Sequence, residues 1–215
     1  MIADETRKKL QDIVRGALIE GQGDYCKTIR NLLIESFGAS PTAKSEFQSR
    51  AILKEKQARF LRSFAEKSNL WLATLPKGSE YIARGGEAQV YLAPNALNVI
   101  KVNDAVYYAT WEEYFNSVII YNLLFPSTSY SLLGFIEIDK NLHAVMEQPF
   151  VEGKQAKLED IKELLTFNDF TNTKRQDYYN KELNLLLEDM HDENVIAKDD
   201  LLFFIDTVFY VMEAK

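Results

Sequence analysis

Cysteine is all but missing from this chain. Cys26 is the single thiol among 215 residues, so no internal disulfide can form and a reducing cytoplasm is the natural setting. Histidine is nearly as scarce. With His143 and His191 as the whole complement, a zinc site is short of nitrogen and sulfur donors. No apolar run approaches the length of a membrane span, and no basic-then-apolar leader opens the sequence, so no membrane association is expected. Internal repeats and low-complexity tracts are absent as well.

The composition that is present builds a core. Apolar residues make up 47% of the chain, enough for one good core or two modest ones, and 12% aromatic content argues against disorder. Charge divides the chain unevenly. Residues 1–75 carry 13 Lys plus Arg against 9 Asp plus Glu, a net of +4, whereas residues 76–215 carry 12 against 23, a net of −11. An acidic part of that strength calls for a cationic partner, which suits magnesium better than nucleic acid.

The basic part reads as helical. Leu10, Ile13, Val14, Ala17 and Leu18 form one apolar stripe, and a second helix over residues 25–37 has Asp24 as its cap and Gly38 as its stop. Cys26 falls on that second helix, where a small packed thiol is expected rather than a nucleophile. Ser40-Pro41 then opens a long helix carrying Phe47, Ala51, Ala58, Leu61 and Phe64. Lys44, Arg50, Lys54, Arg59 and Arg62 read most simply as its solvated face, with a weak nucleic-acid surface as the alternative that no recognition motif supports. Trp71 and Trp111 are expected core anchors.

The acidic part alternates between strand and turn. Strands are expected at residues 80–83 and 89–92, joined by Gly85-Gly86-Glu87-Ala88. Glycines next to small residues let backbone approach phosphate oxygens closely, although Gly-Gly between strands is also a plain hairpin signal. Residues 98–102 form an alternating strand with Lys101 inside an apolar run. Its ammonium faces either solvent or a ligand. Thr110 caps a helix over residues 111–124 whose first turn holds Glu112 and Glu113, a placement that by itself favours the helix dipole. Strands over residues 130–138 and 142–148 follow, joined by an Asp139-Lys140-Asn141 turn. Together these make a five-stranded sheet with one inserted helix.

Further along, a short helix over residues 158–165 is followed by a polar loop ending at Tyr178-Tyr179, and then by a strand over residues 183–187. After that strand comes Asp189-Met190-His191-Asp192-Glu193-Asn194. A hydrophobic run from Leu201 to Ile205 leads to Asp206. The spacing lets one tight loop aim Asp189 and Asn194 the same way, and Asn194 with Asp206 offers the hard oxygen donors that magnesium prefers. The acidic pairs Asp192-Glu193 and Asp199-Asp200 read mostly as solvated turns.

In this order the motifs resemble the kinase-like domain found in polyvalent proteins of bacterial phages and conjugative elements, a branch of the protein-kinase fold. The resemblance spans about residues 81–212. It is carried by Gly85-Gly86-Glu87-Ala88-Gln89-Val90-Tyr91, Val99-Ile100-Lys101, Asn122-Leu123-Leu124-Phe125, Leu133-Gly134-Phe135, Glu147-Gln148-Pro149-Phe150-Val151, Asp189 to Val195, and Ile205-Asp206. It implies a nucleotide-binding protein that takes ATP and Mg2+. Gly85, Gly86 and Val90 would cover the phosphates, Lys101 would clamp them, and Glu113, with Glu112 as second choice, would pair with Lys101. Glu147 and Gln148 would meet adenine through backbone groups, with the Phe150 amide as an alternative donor to Gln148, and Met146 would be either a core methionine or a lining residue. Asp189 would orient or deprotonate the acceptor, His191 would touch phosphate or hydroxyl, and Asn194 and Asp206 would hold the metal.

Departures from the wider kinase pattern narrow the expectation. Leu187-Glu188 stands where most protein kinases have His-Arg before the aspartate, so control by activation-loop phosphorylation is not expected. Thr207 and Val208 replace the Phe and Gly that usually follow the metal-binding aspartate. Only residues 207–215 come after Asp206, so no activation segment or helical substrate lobe is expected in this chain. The acceptor is therefore small, or a protein partner supplies the platform, or catalysis has been lost. The expectation is an α+β protein with a helical N-terminal region over residues 1–75 and a minimal kinase-like domain over residues 76–215. That domain is a protein-kinase-like small lobe, a five-stranded antiparallel sheet plus helix, with a truncated C-terminal part that completes an ATP site between Lys101 and Asp206. An active phosphotransferase and a catalytically inactive nucleotide-sensing or protein-interaction module are the two functional readings.

Overall fold

The computed structural model describes residues 2–21, 23–38, 47–86 and 88–212. Three helices come first, α1 (Asp4–Val14), α2 (Tyr25–Phe37) and α3 (Phe47–Lys67), followed by strands β1 (Glu80–Arg84), β2 (Ala88–Leu92) and β3 (Asn98–Asn103). Helix α4 (Trp111–Leu124) precedes β4 (Ser131–Ile138) and β5 (Asn141–Pro149). The remainder is β6 (Lys154–Gln155), α5 (Leu158–Phe167), β7 (Thr171–Lys174), β8 (Asp177–Asn180), β9 (Leu185–Glu188), β10 (Val195–Lys198), β11 (Leu201–Phe204) and β12 (Val208–Val211). Contacts gather these into two units. One comprises Gly21–Phe115 and Tyr130–Phe150; the other comprises Met1–Glu20, Asn116–Ser129 and Val151–Lys215.

The first of these units is built on an antiparallel sheet in the order β1-β2-β3-β5-β4, with α4 starting between its third and fourth strands in sequence. Paired residues share a face. Ile100 and Val102 therefore turn with Val145 toward a core completed by Ala93, Leu72 and Ile136, while Lys101 and Asn103 turn the other way. On that second side, Phe135 meets Trp111 and Phe115 edge to face at centroid distances of 6.3 and 6.2 Å, the geometry that aromatic quadrupoles favour. Trp111 is a core anchor as expected, whereas Trp71 is half-buried and bridges Phe135 beside the sheet edge. Gly134 makes that edge contact possible. A Cβ there would run into the Leu70 carbonyl, so the residue next to the Phe135 amide that bonds Leu70 (2.7 Å) has to be glycine.

Helix α2 follows its sequence signals closely. The Asp24 carboxylate accepts from the Cys26 and Lys27 amides at 3.0 and 3.3 Å, and Gly38 ends the helix at φ +78°. Its buried stripe includes Cys26, whose thiol is held well above its ordinary titration range by burial and then by nearby Asp24. The Ser40-Pro41 helix start lies outside the described residues. Within α3 the reading of a solvated basic face needs correcting. Lys54 Nζ donates to the Ala105 and Tyr108 carbonyls at 2.5 and 2.9 Å, Arg50 lies 3.8 Å from Glu113, and Arg62 reaches Glu137 at 3.1 Å. Arg59 alone among the described members behaves as expected, exposed and paired with Glu55 along the helix.

In the second unit, α1 stops at Val14 instead of running on to Leu18, because Gly16 turns the chain at φ +72°. Arg7 ties this helix to Glu182 (2.5 Å) and Asp169 (3.7 Å). Residues expected as a polar loop form the β7–β8 hairpin, the edge of a sheet ordered β12-β9-β8-β7. Polarity concealed it. All four β7 residues are exposed, so an edge strand there has no apolar alternation to show. A second small sheet, β11-β10-β6, holds a tight hairpin between β10 and β11, in which Asp199 and Asp200 both have positive φ.

Candidate active site

Strand β9 ends at Glu188, and Asp189 then leaves it at φ +65°, a left-handed conformation that aspartate tolerates better than most residues. The sharp turn has a chemical result. Asp189 Oδ1 lies 3.0 Å from His191 Nε2, while Asn194 Nδ2 donates to Asp189 Oδ2 at 3.1 Å and to the Asp189 carbonyl at 2.9 Å. Three residues singled out in the sequence are thus gathered into one loop, with both carboxylate oxygens of Asp189 oriented. Because the Asn194 amide nitrogen is committed to Asp189, its amide oxygen is the atom left to serve a cation. The Asn194 amide in turn donates to the His191 carbonyl at 3.0 Å, closing the loop on itself.

Asp206 is brought to this loop by strand register. Strands β10 and β11 pair from Val195 opposite Phe204 through to Lys198 opposite Leu201, and one step beyond the ladder the Ile205 amide donates to the Asn194 carbonyl at 2.9 Å. Asn194 and Asp206 therefore sit at the same open end of one hairpin. Asp206 is half-buried. Two acids not expected in the site lie beside Asp189: Asp177, whose carboxylate is 3.5 Å from the Asp189 amide, and Glu188, named in the sequence only as a departure from the kinase pattern. Burial pushes the Glu188 carboxyl above its ordinary value, and the negative charges of Asp177 and Asp189 push it further. No sequence signal pointed to Asp177, because it becomes a neighbour only through the unexpected β7–β8 hairpin.

Other expected site residues lie in the five-stranded unit. Register places Val90, Lys101, Met146 and Leu132 in one row across four strands. Lys101 is only 7% exposed, which removes the solvent-facing alternative. Its Nζ donates to the Tyr130 hydroxyl at 3.0 Å and lies 5.3 Å from the centre of that ring. At the β1–β2 turn the Gly85 amide donates to the Ala88 carbonyl at 2.9 Å. A Cβ on Gly86 would stand 3.1 Å from the Tyr107 hydroxyl, so this glycine lets that tyrosine close over the loop. Glu87 lies outside the described residues.

Glu113 engages partners close to the start of α4: its Oε2 accepts from the Ala109 amide at 3.0 Å, and its other oxygen faces Arg50. Thr110 Oγ1 accepts from the Glu113 amide at 3.1 Å as an N-cap, and Gln57 Oε1 takes the Trp111 and Glu112 amides at 2.8 and 3.3 Å. Glu112 is buried beside Arg30, whose guanidinium is shifted down by burial and partly restored by the charge of Glu112. Glu147 is paired with Ile100 and is half-buried, while Gln148 is fully buried opposite Val99. The Phe150 amide donates to the Leu97 carbonyl at 2.9 Å, so it is spent on the fold and is not available for a ligand.

Among the described residues no group of three or more His, Cys, Asp or Glu side chains is arranged to hold a metal by itself, and no helix is long and apolar enough to cross a membrane. An apolar cavity of about 390 Å3 in the acidic-loop unit is lined by residues such as Ile2, Leu124, Leu165 and Phe203. None of Asp189, His191, Asn194 or Asp206 lines it. Comparison with known proteins adds one finding: residues 54–213 match the family described as a serine/threonine/tyrosine kinase found in polyvalent proteins. No curated protein and no solved structure matches the chain.

Proposed function

The chain belongs to the kinase family found in polyvalent proteins, and from that premise we propose that it is an ATP- and magnesium-dependent phosphotransferase. The observation that carries the proposal is the closed loop in which His191 and Asn194 hold the carboxylate of Asp189. A carboxylate oriented on both oxygens is prepared to accept a proton in one direction. The strand order β1-β2-β3-β5-β4, with a helix entered between the third and fourth strands, supports reading that unit as a protein-kinase-like small lobe.

The donor set suits magnesium. Mg2+ takes one or two protein oxygens and completes its shell with water and phosphate, which agrees with Asn194 and Asp206 at one hairpin end and with the lack of a larger acidic cage among the described residues. Bound there, it would neutralise charge on the nucleotide phosphates. The remaining steps fall to side chains. An acceptor hydroxyl donates to the remaining lone pair of Asp189 Oδ1, beside His191. As the acceptor oxygen bonds to the γ-phosphorus, Asp189 receives the proton, and the bond from that phosphorus to the ADP bridging oxygen breaks. Lys101, held by Tyr130, supplies fixed positive charge to the phosphates.

Calorimetric titration with ATP and magnesium, joined to a turnover assay, tests this. At about 100 times its dissociation constant, MgATP should stabilise the fold by roughly 2.7 kcal/mol. Asp189→Ala should keep that binding and lower turnover by about 10²- to 10⁴-fold. Lys101→Met should weaken ATP binding by about tenfold or more with the fold intact, since it removes a charge-assisted contact. Asp206→Ala should instead weaken the magnesium dependence. Absence of any ATP binding, with or without magnesium, refutes the proposal; binding without turnover identifies the inactive module.

A further inference from the structure

Asp206 falls in a gap. Strand β11 ends at Phe204 and β12 begins at Val208, so residues 205–207 lie between the two ladders, with the Ile205 amide donating to the Asn194 carbonyl at 2.9 Å. A carboxylate meant to meet a cation in one place needs its backbone anchored, and here the anchors are hydroxyl groups. The Phe204 carbonyl is the common acceptor of Tyr121 Oη and of Thr128 Oγ1, the latter at 2.7 Å. Those two oxygens are themselves 2.8 Å apart. On the other side, the Phe209 amide donates to Ser117 Oγ at 2.9 Å. All of these groups are buried, with Tyr121 at 0% and Thr128 at 1% exposure, and water does not compete for them.

We infer that Ser117, Tyr121 and Thr128 are positioning residues that hold Asp206 in place by gripping the backbone two residues before it and three residues after it. The spacing is helical. Ser117 and Tyr121 stand four apart on α4 and so share one face, and Thr128 joins them from the turn that follows the helix. The Phe125 ring stacks on Phe204 at 4.1 Å and shields the grip. An apolar packing role alone would be met by phenylalanine at 121 and valine at 128; both hydroxyls instead donate to the buried Phe204 carbonyl, and Thr128 Oγ1 also lies 3.4 Å from the Phe125 carbonyl. The inference rests on the phosphotransferase reading for what Asp206 does, but not for where Asp206 is held.

Two measurements on the whole chain decide it. Hydrogen exchange read by mass spectrometry, with no ligand present, should show the amides of residues 205–208 exchanging roughly tenfold faster in Thr128→Val and Tyr121→Phe, the scale of one lost hydrogen bond. Amides of β10 should keep their protection, and Thr128→Ser should restore the wild-type pattern. In magnesium titrations at fixed ATP, the half-saturating magnesium concentration should rise severalfold in Thr128→Val, while ATP binding without magnesium stays unchanged. Unchanged exchange at residues 205–208 overturns the inference, as does a uniform acceleration throughout the unit, which would mark the hydroxyls as general packing. If wild-type protein binds no nucleotide, the phosphotransferase reading falls, and the exchange pattern still decides whether the hydroxyls hold Asp206.

Discussion

Replacing Gln57 with methionine would test whether α3 secures the start of α4. The side chain is fully buried, and its Oε1 accepts the Trp111 and Glu112 amides at 2.8 and 3.3 Å. Methionine matches glutamine in length and flexibility but accepts almost no hydrogen bond, so Gln57→Met leaves little cavity and isolates the polar contribution. Two buried amides without acceptors cost roughly 2 to 6 kcal/mol. Against this, the Gln57 Nε2 group is buried with no hydrogen-bond partner, and removing it returns about 1 to 3 kcal/mol. The net loss is therefore about 2 kcal/mol, which for a chain of this size lowers the melting temperature by roughly 4 to 8 °C. Thermal unfolding followed by circular dichroism measures it, with Arg59→Met as an exposed control on the same helix. A change no larger than the control's would show that Thr110 and Glu113 suffice to cap α4 and that the Gln57 contacts carry no net stability.

Gly134→Ala should lower stability by about 1 to 3 kcal/mol or more through overpacking, because the added methyl meets the Leu70 carbonyl and the Leu72 side chain; a wild-type denaturant midpoint would show that the edge relaxes freely. Glu188 gives a pH signature. Its folded-state titration lies above the unfolded one, so its contribution is fully present below the unfolded value and is lost as pH rises through the folded value. Glu188→Gln should accordingly raise the melting temperature near pH 7 and leave it unchanged near pH 4, and the same gain at both pH values would remove the carboxylate as its source.

The parts of this protein that could be read from residues alone are those governed by short-range physics. Helix α2 has the bounds set by Asp24 and Gly38, and α4 runs from Trp111 to Leu124 behind the Thr110 cap, because capping acts within one turn. The five strands of the larger sheet lie within a residue of the bounds expected from runs of strand-forming residues between turn signals, and the expected turns at Asp139-Lys140 and Asp199-Asp200 have positive φ. The D-x-x-x-x-N loop was equally visible, since the contacts joining Asp189, His191 and Asn194 span at most five residues. Partners distant in sequence were not. That Lys101 meets Tyr130, that Lys54 and Gln57 serve the α4 entrance, and that Asp177 stands beside Asp189 depend on which elements pack together. A polar side chain's composition says that it needs a partner once buried, but the choice of partner belongs to the tertiary structure, because burial and proximity are set by the whole unit rather than by neighbours along the chain.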